Sequence, residues 1–565
     1  MFLLVITILS LLVSLQMAAV VNNESKFFIF EYFSNVPLDL FQYINPTPDN
    51  KLLREDKHFW YDIGNHYLEK NLKYDQESTK RVAKNVVILI GDGMGINTIT
   101  ATRIYKGQRS GKSGEDHTLA YDNFPNVALV KTYNVDMQVP DSAGTATALF
   151  TGVKTRYEAV GVDVNCHKTI ANRTVFEASK LEGIMTWAQL SNKSTGIITT
   201  TRITHATPAS TYAHVHFREW ECDSEMPQEF KPFVKDIARQ LVEDAPGNNF
   251  KVILGGGYQQ MGYIFEDLSD GECVRNDKLN LTQTWIDNHK GLKASFVTNN
   301  KQLENVGDVD YLLGLFYHDH LPYELLRNKS PQGTPSLSQM TKKGLDILKR
   351  SKNGYVLMVE GGRIDHGHHD NYARLALEEA AEFEKTVSLI VEECGPDTLI
   401  LVTADHSHAM TLNGYSRRGN DILGYGIETE DDKPALTLTY ANGPGFAYHY
   451  TPNNSSILGP WRDVRQDRNL LNNPKYQQMA TFEMDDETHG GEDVAIFGIG
   501  PGSHLVRGVF EQNYVAHLIS YAACIGPRSK MNPLCGKNVE SQGEFSVLVN
   551  FYLLISMLFF LKYLK

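Results

Sequence analysis

The sequence lacks several features that would place it in common protein classes. Its 565 residues contain no long basic run, and the formal net charge is −13. Nucleic-acid binding depends on clustered Lys and Arg side chains against phosphates, so nucleic acid is not expected as a partner. The chain also has no internal repeat and no long low-complexity segment. Hydrophobic residues make up 42% and charged residues 21%, which is the composition of a folded globular protein.

Cysteine is scarce, and no two cysteines form a CxxC pair. In an exported chain, such cysteines are more typical of disulfides than of metal ligands. The last two are close enough in sequence to close a small loop near the C-terminus. The six are Cys166, Cys222, Cys273, Cys394, Cys524 and Cys535.

The N-terminus indicates export. An apolar run from Phe2 to Leu15, followed by the small residues Ala18 and Ala19, is typical of a secretory signal peptide, which we assign to residues 1–20. The alternative, a membrane-spanning anchor, is disfavoured because the run is short. Glycosylation sequons of the form N-x-S/T also favour export. The candidates are Asn172, Asn192, Asn280, Asn328, Asn453 and Asn454.

The C-terminus has a second apolar run, Phe545 to Leu561, preceded by a polar stretch of small residues. This order is typical of a lipid-anchor (GPI) signal, which we assign to residues 536–565, with Ser541 and Gly543 as candidate attachment sites. The alternative is a short spanning helix with its trailing lysines on the cytoplasmic side. In both cases the protein reaches the cell surface through the secretory pathway and faces outward.

The pattern of the remaining chain predicts an α/β protein with several segments. Residues 21–85 look like an arm and a helix, and from residue 86 short apolar runs alternate with helical stretches. The predicted α/β core consists of residues 86–415 and 486–530. Residues 416–485, which are rich in Gly, Asn, Pro and charged residues, are predicted to form an insertion between these two parts. The predicted buried strands are Val86–Ile90, Gly196–Thr199, Val252–Leu254, Tyr355–Val359, Thr398–Val402 and Val494–Gly498.

Three of these strands end in carboxylates. Asp92, Glu360 and Asp405 each follow or close an apolar run. In open α/β sheets ligands bind beyond the carboxyl ends of the strands, so the three side chains should lie along one edge. Carboxylates placed so closely repel each other, and bound cations remove that repulsion.

Imidazoles occur in the same places. Asp365 and His369 are four residues apart, the spacing by which two residues of one helix turn hold a metal ion. His406 adjoins Asp405, and His489 lies in a further polar motif. A single histidine is more often structural, but agreement among several strand ends favours a metal centre. Mixed Asp and His ligation suits zinc, whereas all-oxygen ligation suits magnesium.

Ser142 is the candidate nucleophile. It stands in VPDSAGTATA, where the small residues after it let a backbone approach closely and an alanine-rich helix can begin. A helix N-terminus offers free N–H groups to a bound phosphate. The alternative is that Ser142 is a simple N-cap residue.

Taken together, the motifs resemble one family. The segments GDGMG at Asp92, DSAGTATA at Ser142, HATP at 205–208, VEGGRIDHGHH, TADHSH and ETHGGEDV resemble those of the alkaline phosphatases, in particular the animal membrane-bound branch. The resemblance extends over residues 57–527. It implies hydrolysis of phosphate monoesters, with broad specificity, through a phosphoserine intermediate with two zinc ions and one magnesium ion. It also implies a three-layer sandwich, with a central mostly parallel sheet flanked by helices, and a crown-like insertion.

The resemblance assigns roles to individual residues. It implies Ser142 as nucleophile and Arg218 as the phosphate-binding guanidinium, which suits two phosphoryl oxygens at once. His205 and His408 would support the metal ligands through hydrogen bonds. The implied ligands are Asp365, His369 and His489 for one zinc, Asp92, Asp405 and His406 for the other, and Asp92, Thr207 and Glu360 for magnesium.

The resemblance also bears on assembly and on further sites. It implies a homodimer, with Tyr415 reaching across the interface, and the disulfides Cys166–Cys222 and Cys524–Cys535. Vertebrate members have a calcium site with a carboxylate just after an LLGLF-like segment. Here Tyr317 and His318 stand at that point, so a calcium site stays an open question.

Two other functions fit the sequence less well. A sulfatase needs Cys or Ser in a C/S-x-P-x-R setting, and a phosphodiesterase usually has a threonine nucleophile, whereas Ser142 is followed by Ala-Gly-Thr. A surface receptor that had lost catalysis would have broken ligands, yet every matched position has a competent side chain.

Overall fold

The computed structural model describes residues 81–262, 273–428, 434–452 and 461–536. The signal peptide, nearly all of the N-terminal arm and helix, the sequons at Asn453 and Asn454 and the C-terminal apolar run lie outside these residues. Within the described ranges, no helix combines the length and the apolar composition needed to cross a bilayer.

The strands, in chain order, are β1 (Asn85–Gly91), β2 (Asn126–Lys131), β3 (Ser194–Arg202), β4 (Val252–Gly256), β5 (Ala294–Val297), β6 (Tyr311–Leu315), β7 (Tyr355–Gly361), β8 (Thr398–Thr403), β9 (Ser407–His408), β10 (Met410–Leu412), β11 (Tyr425–Glu428), β12 (Pro434–Leu436), β13 (Leu438–Asn442), β14 (Ala480–Phe482), β15 (His489–Gly490), β16 (Val494–Ile499) and β17 (Gly508–Glu511).

The α-helices are α1 (Ile96–Arg109), α2 (Ser142–Thr151), α3 (Arg173–Ser179), α4 (Ile184–Leu190), α5 (Ala206–Ala209), α6 (Ile237–Glu243), α7 (Leu281–Asn288), α8 (Asn300–Asn305), α9 (Leu337–Leu348), α10 (Arg363–His369), α11 (Ala373–Glu393), α12 (Gly445–His449) and α13 (Tyr514–Ala522).

Ten strands form one central sheet in the order β17-β2-β16-β8-β1-β7-β3-β4-β6-β5. Strand β16 runs antiparallel to both of its neighbours, and the other pairings in this sheet are parallel. Strands β7 and β8 are buried along their whole length. A parallel strand covered on both faces needs a continuous apolar run, which is why these strands could be read from the sequence. Each of the six predicted strands coincides with a strand of this sheet.

Helices pack on both faces of the sheet. Side chains alternate between faces along a strand, so Ile198 and Thr195 of β3 point in opposite directions. Ile198 packs against α9 at Gly344, whereas the hydroxyl of Thr195 accepts a hydrogen bond from Gln189 of α4 at 2.8 Å. The predicted fold class, a mostly parallel central sheet flanked by helices, is therefore confirmed.

Smaller sheets lie outside the central one. Strands β10, β13 and β14 form one, and β11 pairs with β12. Most of these strands belong to residues 416–485, the predicted insertion, whose buried residues include Leu436, Val464 and Tyr476. Its exact boundaries, and those of the other predicted segments, stay predictions.

The disulfides require a correction. The structure pairs Cys222 with Cys273 and Cys524 with Cys535, while Cys166 and Cys394 are free thiols. The predicted Cys166–Cys222 bond is therefore wrong. Cys166 lies in the main apolar core, whereas ion pairs of Arg275 join the segments that hold Cys222 and Cys273.

Candidate active site

The carboxyl ends of four neighbouring strands build the site. In the order β8-β1-β7-β3, the chain places Asp405 after β8, Asp92 directly after β1, Glu360 at the end of β7 and His205 after β3. Asp92, Glu360 and Asp405 are fully buried. Parallel strands end at the same edge of a sheet, so residues far apart in sequence meet there.

Asp365 and His369 reach this edge from α10, and His489 reaches it from β15. His369 Nε2 lies 3.2 Å from a carboxylate oxygen of Asp365. His489 Nε2 lies 3.1 Å from His369 Nε2 and 3.3 Å from the other oxygen of Asp365. The side chain of His369 is 28% exposed and that of His489 is 12% exposed, so water can reach this cluster.

The hydrogen bonds of these two histidines determine which nitrogen is free. Nδ1 of His369 faces the carbonyl of Glu487, and Nδ1 of His489 faces the carbonyl of Pro140 at 2.7 Å. Each Nδ1 must therefore bear a proton, and in the neutral rings the two Nε2 lone pairs face each other. Burial lowers the pKa of His369, but Asp365 outweighs it and raises that pKa. A cation held between them and Asp365 turns this repulsion into coordination, the usual arrangement of metal-bound histidines.

His406 is the centre of a second cluster. Its Nε2 lies 3.4 Å from Asp92 Oδ1, 3.2 Å from Asp405 Oδ2 and 3.1 Å from Ser142 Oγ. Burial, and then the neighbouring His489, lower the pKa of His406 well below its usual value, so the imidazole is neutral. A neutral imidazole between two carboxylates and a hydroxyl is a suitable zinc ligand set.

The third cluster consists of oxygen atoms. Asp92 Oδ2, Glu360 Oε1 and Thr207 Oγ1 are buried and make no hydrogen bond of standard geometry. Burial raises the pKa of Glu360 to about 7, although hydroxyls including those of Thr199 and Thr207 oppose the rise. Burial and the charges of Asp405 and Asp365 raise the pKa of Asp92 well above its usual value. The raised pKa values show that negative charge is uncompensated here, and a hard cation such as magnesium, which prefers oxygen ligands, would neutralise it.

Ser142 is the first residue of α2, and its side chain is not the helix cap. Asp141 is the N-cap, because its carboxylate accepts hydrogen bonds from the backbone N–H groups of Ala143 and Gly144 at 3.1 Å. The alternative that Ser142 is a simple N-cap is therefore wrong. Gly144 is required here, since a Cβ would lie 2.6 Å from the side chain of Asn134. The hydroxyl of Ser142 is thus free to face His406.

Arg218 lies beside this helix start. Its guanidinium contacts Asp141 at 3.3 Å and His205 Nε2 at 2.8 Å, and its side chain is 16% exposed. Burial opposes the charge, but Asp141, Glu219 and Asp92 outweigh it and raise the pKa of Arg218. A positive fork is therefore held next to the N-terminus of α2, where a phosphoryl group would meet both.

Sequence reasoning gave no role to Glu487. His408 lies between two carboxylates, with Nδ1 on Glu487 and Nε2 2.6 Å from Asp365 Oδ1. Burial lowers the pKa of His408, but Glu487 and Asp365 outweigh it and raise that pKa to about 10. A protonated His408 donates on both sides and fixes the orientation of Asp365. Glu487 lies in the motif that contains His489, but its position in the sequence does not predict the contact with His408.

A further group of histidines adjoins Arg218. The rings of His205, His320 and His366 contact one another, with centroids 4.3 to 5.7 Å apart. Each ring also contacts a guanidinium, from Arg218, Arg202 and Arg363 respectively. Three adjacent positive charges disfavour a cation here, so this cluster is better described as a hydrogen-bonded support.

Comparison with known proteins agrees with this geometry. The family model "Alkaline phosphatase" matches residues 83–525. Alkaline phosphatase 4 of Drosophila melanogaster is 49% identical over 518 residues, covering 87% of this chain and 85% of that protein. The tissue-nonspecific alkaline phosphatase isozyme of Homo sapiens is 42% identical, covering 84% of this chain and 89% of its own length.

Solved structures resemble the fold. The alkaline phosphatase of Thermus thermophilus superposes with a TM-score of 0.55 at 22% identity, covering 79% of this chain and 92% of its own. A cold-active enzyme from Shewanella sp. gives 0.54 at 24% identity, covering 78% and 99%. At these identities the structures support the fold, and the sequence relatives support the family. The chain belongs to the alkaline phosphatase family and is a hydrolase of phosphate monoesters.

Proposed function

We propose that the chain hydrolyses phosphate monoesters through a phosphoserine intermediate at Ser142, with two zinc ions and one magnesium ion. The observation that supports this most directly is the position of Ser142 Oγ, 3.1 Å from His406 Nε2. That nitrogen and its two carboxylate neighbours form a donor set for zinc, so the hydroxyl would become a fourth ligand.

The donor chemistry assigns the three ions. Asp365, His369 and His489 would hold one zinc, and Asp92, Asp405 and His406 the other. Magnesium would take the unsatisfied oxygens of Asp92, Thr207 and Glu360. When bound, these ions supply Lewis acidity, which lowers the pKa of coordinated hydroxyl and water oxygens and neutralises phosphoryl charge.

The side chains of the chain then perform the transfer. Ser142 Oγ, without its proton, attacks phosphorus in line as the bond to the alcohol oxygen breaks, and water later cleaves the phosphoserine. Arg218 and the N-terminal N–H groups of α2 hold the remaining phosphoryl oxygens. Since these groups contact only the phosphoryl part, we expect broad specificity, and a rate that rises with pH as the nucleophiles lose their protons.

We also infer a cell-surface, GPI-anchored homodimer, with a single C-terminal spanning helix as the alternative. In support of a protein interface, Tyr415, the residue expected at the dimer contact, is 88% exposed. The sequons at Asn172, Asn192, Asn280 and Asn328 are exposed, as glycosylation requires.

The test of the mechanism is hydrolysis of a chromogenic aryl phosphate by the purified protein at neutral and alkaline pH. Chelation is expected to abolish turnover, and zinc with magnesium to restore it. Ser142→Ala should lower kcat by at least about 1000-fold, because it removes the nucleophile. Ser179→Ala is the matched control, since Ser179 is also a buried helical serine, but its hydroxyl donates to Val175 of the same helix.

The intermediate needs a test of its own. Incubation with inorganic phosphate at acidic pH, followed by quenching and peptide mass spectrometry, should locate phosphate on Ser142. Full turnover by zinc-loaded Ser142→Ala would exclude the phosphoserine route. Absence of turnover in folded, zinc-loaded wild type would contradict the metal assignment as well.

A further inference from the structure

Arg202 is a buried cation that the proposed chemistry does not use. It is the last residue of β3, and its side chain is only 11% exposed. Its Nε and Nη2 donate to the two carboxylate oxygens of Glu221 at 2.9 and 2.7 Å. Its Nη1 donates to Asp319 at 2.6 Å and lies 2.7 Å from His320 Nε2. One guanidinium therefore joins three separate segments.

Two of these segments lead to Arg218, the proposed phosphate-binding side chain. Glu221 lies in the loop that presents Arg218, and the backbone N–H of His205 donates to the carbonyl of Arg202 at 3.0 Å. His205 Nε2 in turn contacts the Arg218 guanidinium at 2.8 Å. The side chain of Arg202 thus holds the loop that contains Arg218. The backbone carbonyl of Arg202 holds His205, which contacts Arg218.

The third segment, which contains Asp319 and His320, contacts His205. Its His320 ring lies 5.1 Å from the His205 ring, measured between centroids. Glu221 is fixed further by the hydroxyl of Thr204, which donates to it. Glu221 is almost completely buried, so its charge needs a partner within the protein.

The geometry points to Arg202 as a positioning residue for phosphate binding: through its paired bonds to Glu221 it holds Arg218 in the orientation that receives a phosphoryl group. This inference rests on the proposed role of Arg218. Arginine presents two parallel N–H groups to a carboxylate, whereas lysine offers only a compact point charge. Arg202→Lys therefore keeps the buried charge and removes the fixed orientation.

The test measures binding of inorganic phosphate to the zinc- and magnesium-loaded protein by calorimetry, without turnover. Arg202→Lys and Glu221→Gln are each expected to weaken phosphate binding about tenfold, as loss of one coupled contact typically does. In the aryl phosphate assay, KM should rise more than kcat falls. Metal content and the melting temperature are recorded for every variant. Arg462→Lys is the matched control, because Arg462 makes the same paired contact with a buried carboxylate, Asp467, within the insertion over residues 416–485.

A double-mutant cycle separates positioning from general damage. If Arg202 acts through Arg218, Arg202→Lys should have almost no further effect on phosphate binding in an Arg218→Ala background. The same tenfold loss in both backgrounds would overturn the inference, and so would unchanged phosphate affinity in Arg202→Lys alone. Because binding is measured directly, these outcomes are distinct from a failure of the proposed reaction, which would appear as wild type that binds phosphate without hydrolysing the ester.

Discussion

Two buried carboxylates in this molecule have opposite surroundings, since one is surrounded by hydrogen-bond donors and the other has acidic neighbours. Asp467, in the insertion over residues 416–485, is fully buried, and every contact it makes is with a donor. Arg462 Nε lies 3.0 Å from both of its oxygens, and the hydroxyls of Tyr448 and Tyr476 donate to it at 3.1 and 3.2 Å. Asp92 is equally buried, but its Oδ2 has no partner, and its neighbours include the acids Asp405 and Asp365.

The difference distinguishes structure from function. A buried charge is costly unless the protein pairs it, and around Asp467 the chain supplies the pairing itself. Around Asp92 the chain leaves negative charge uncompensated, so these carboxylates must either take up protons or bind cations. Groups with perturbed pKa values and missing partners mark candidate functional sites for this reason.

The largest expected effect is that of metal removal. Chelation should lower activity by at least about 1000-fold and destabilise the sheet edge by at least about 4 kcal/mol, the linkage value for a ligand present at 1000 times its Kd. Hydrogen exchange should show lost protection near Asp92 and Asp405, with little change over residues 462–476. Equal loss of protection in both regions would contradict the distinction.

Next, the two carboxylates should respond oppositely to the same substitution. Asp467→Asn weakens the hydrogen bonds of a buried carboxylate with Arg462, whose side chain is 35% exposed, and with two tyrosine hydroxyls. It should cost about 1–3 kcal/mol of unfolding free energy, with kcat little changed in the folded fraction. Asp92→Asn should lower kcat/KM by about 1000-fold, yet stabilise the metal-free protein. Its folded pKa is raised, so ionised Asp92 costs stability at neutral pH, and the amide avoids that cost. Denaturant unfolding of both apo variants, with kinetics of the reloaded proteins, checks the two signs.

The same contrast explains what the sequence could reveal. Asp92, Glu360 and Asp405 were found because each ends a buried parallel strand, a local pattern whose geometry follows from the fold. The partners of Asp467 belong to separate short segments of the insertion, and no period or motif predicts that Arg462 and Tyr448 meet. The sequence did not predict the Cys222–Cys273 disulfide for the same reason, since that bond depends on how two loops pack. Glu487 and Arg202 were missed because their roles depend on contacts with other ligands and loops, not on their own spacing.

A smaller effect is expected from the support of Asp365. Glu487→Gln keeps the shape of the side chain but removes the charge that helps to hold His408 protonated. Loss of such an outer contact typically costs about 10- to 100-fold in metal affinity or activity. Zinc titration and kcat/KM of the reloaded protein check this. Wild-type zinc affinity and kcat/KM in this variant would show that Asp365 is oriented without Glu487.

The smallest expected effect concerns Glu379 of α11. This buried carboxyl group avoids a buried charge by staying protonated. It accepts a hydrogen bond from the backbone N–H of Glu324, and burial raises its pKa to about 8. The group is therefore protonated at neutral pH. Because the folded pKa lies above the unfolded value of about 4.3, stability falls as pH rises between these two values and is lowest above pH 8.

Glu379→Gln removes that penalty while keeping an acceptor for the backbone. It should raise the unfolding free energy by about 1–2 kcal/mol at pH 9 and leave it unchanged at pH 4, where both states of the wild type are protonated. The neighbouring Glu378 is the control, because it accepts from Tyr105 at 2.7 Å and Arg109 at 2.5 Å, so Glu378→Gln should destabilise the protein instead. If Glu379→Gln were equally stabilising at both pH values, burial of the charge would not be the cause. If the substitution instead destabilised the protein at pH 9, Glu379 would belong with Asp467 as a carboxylate whose charge the surrounding protein satisfies.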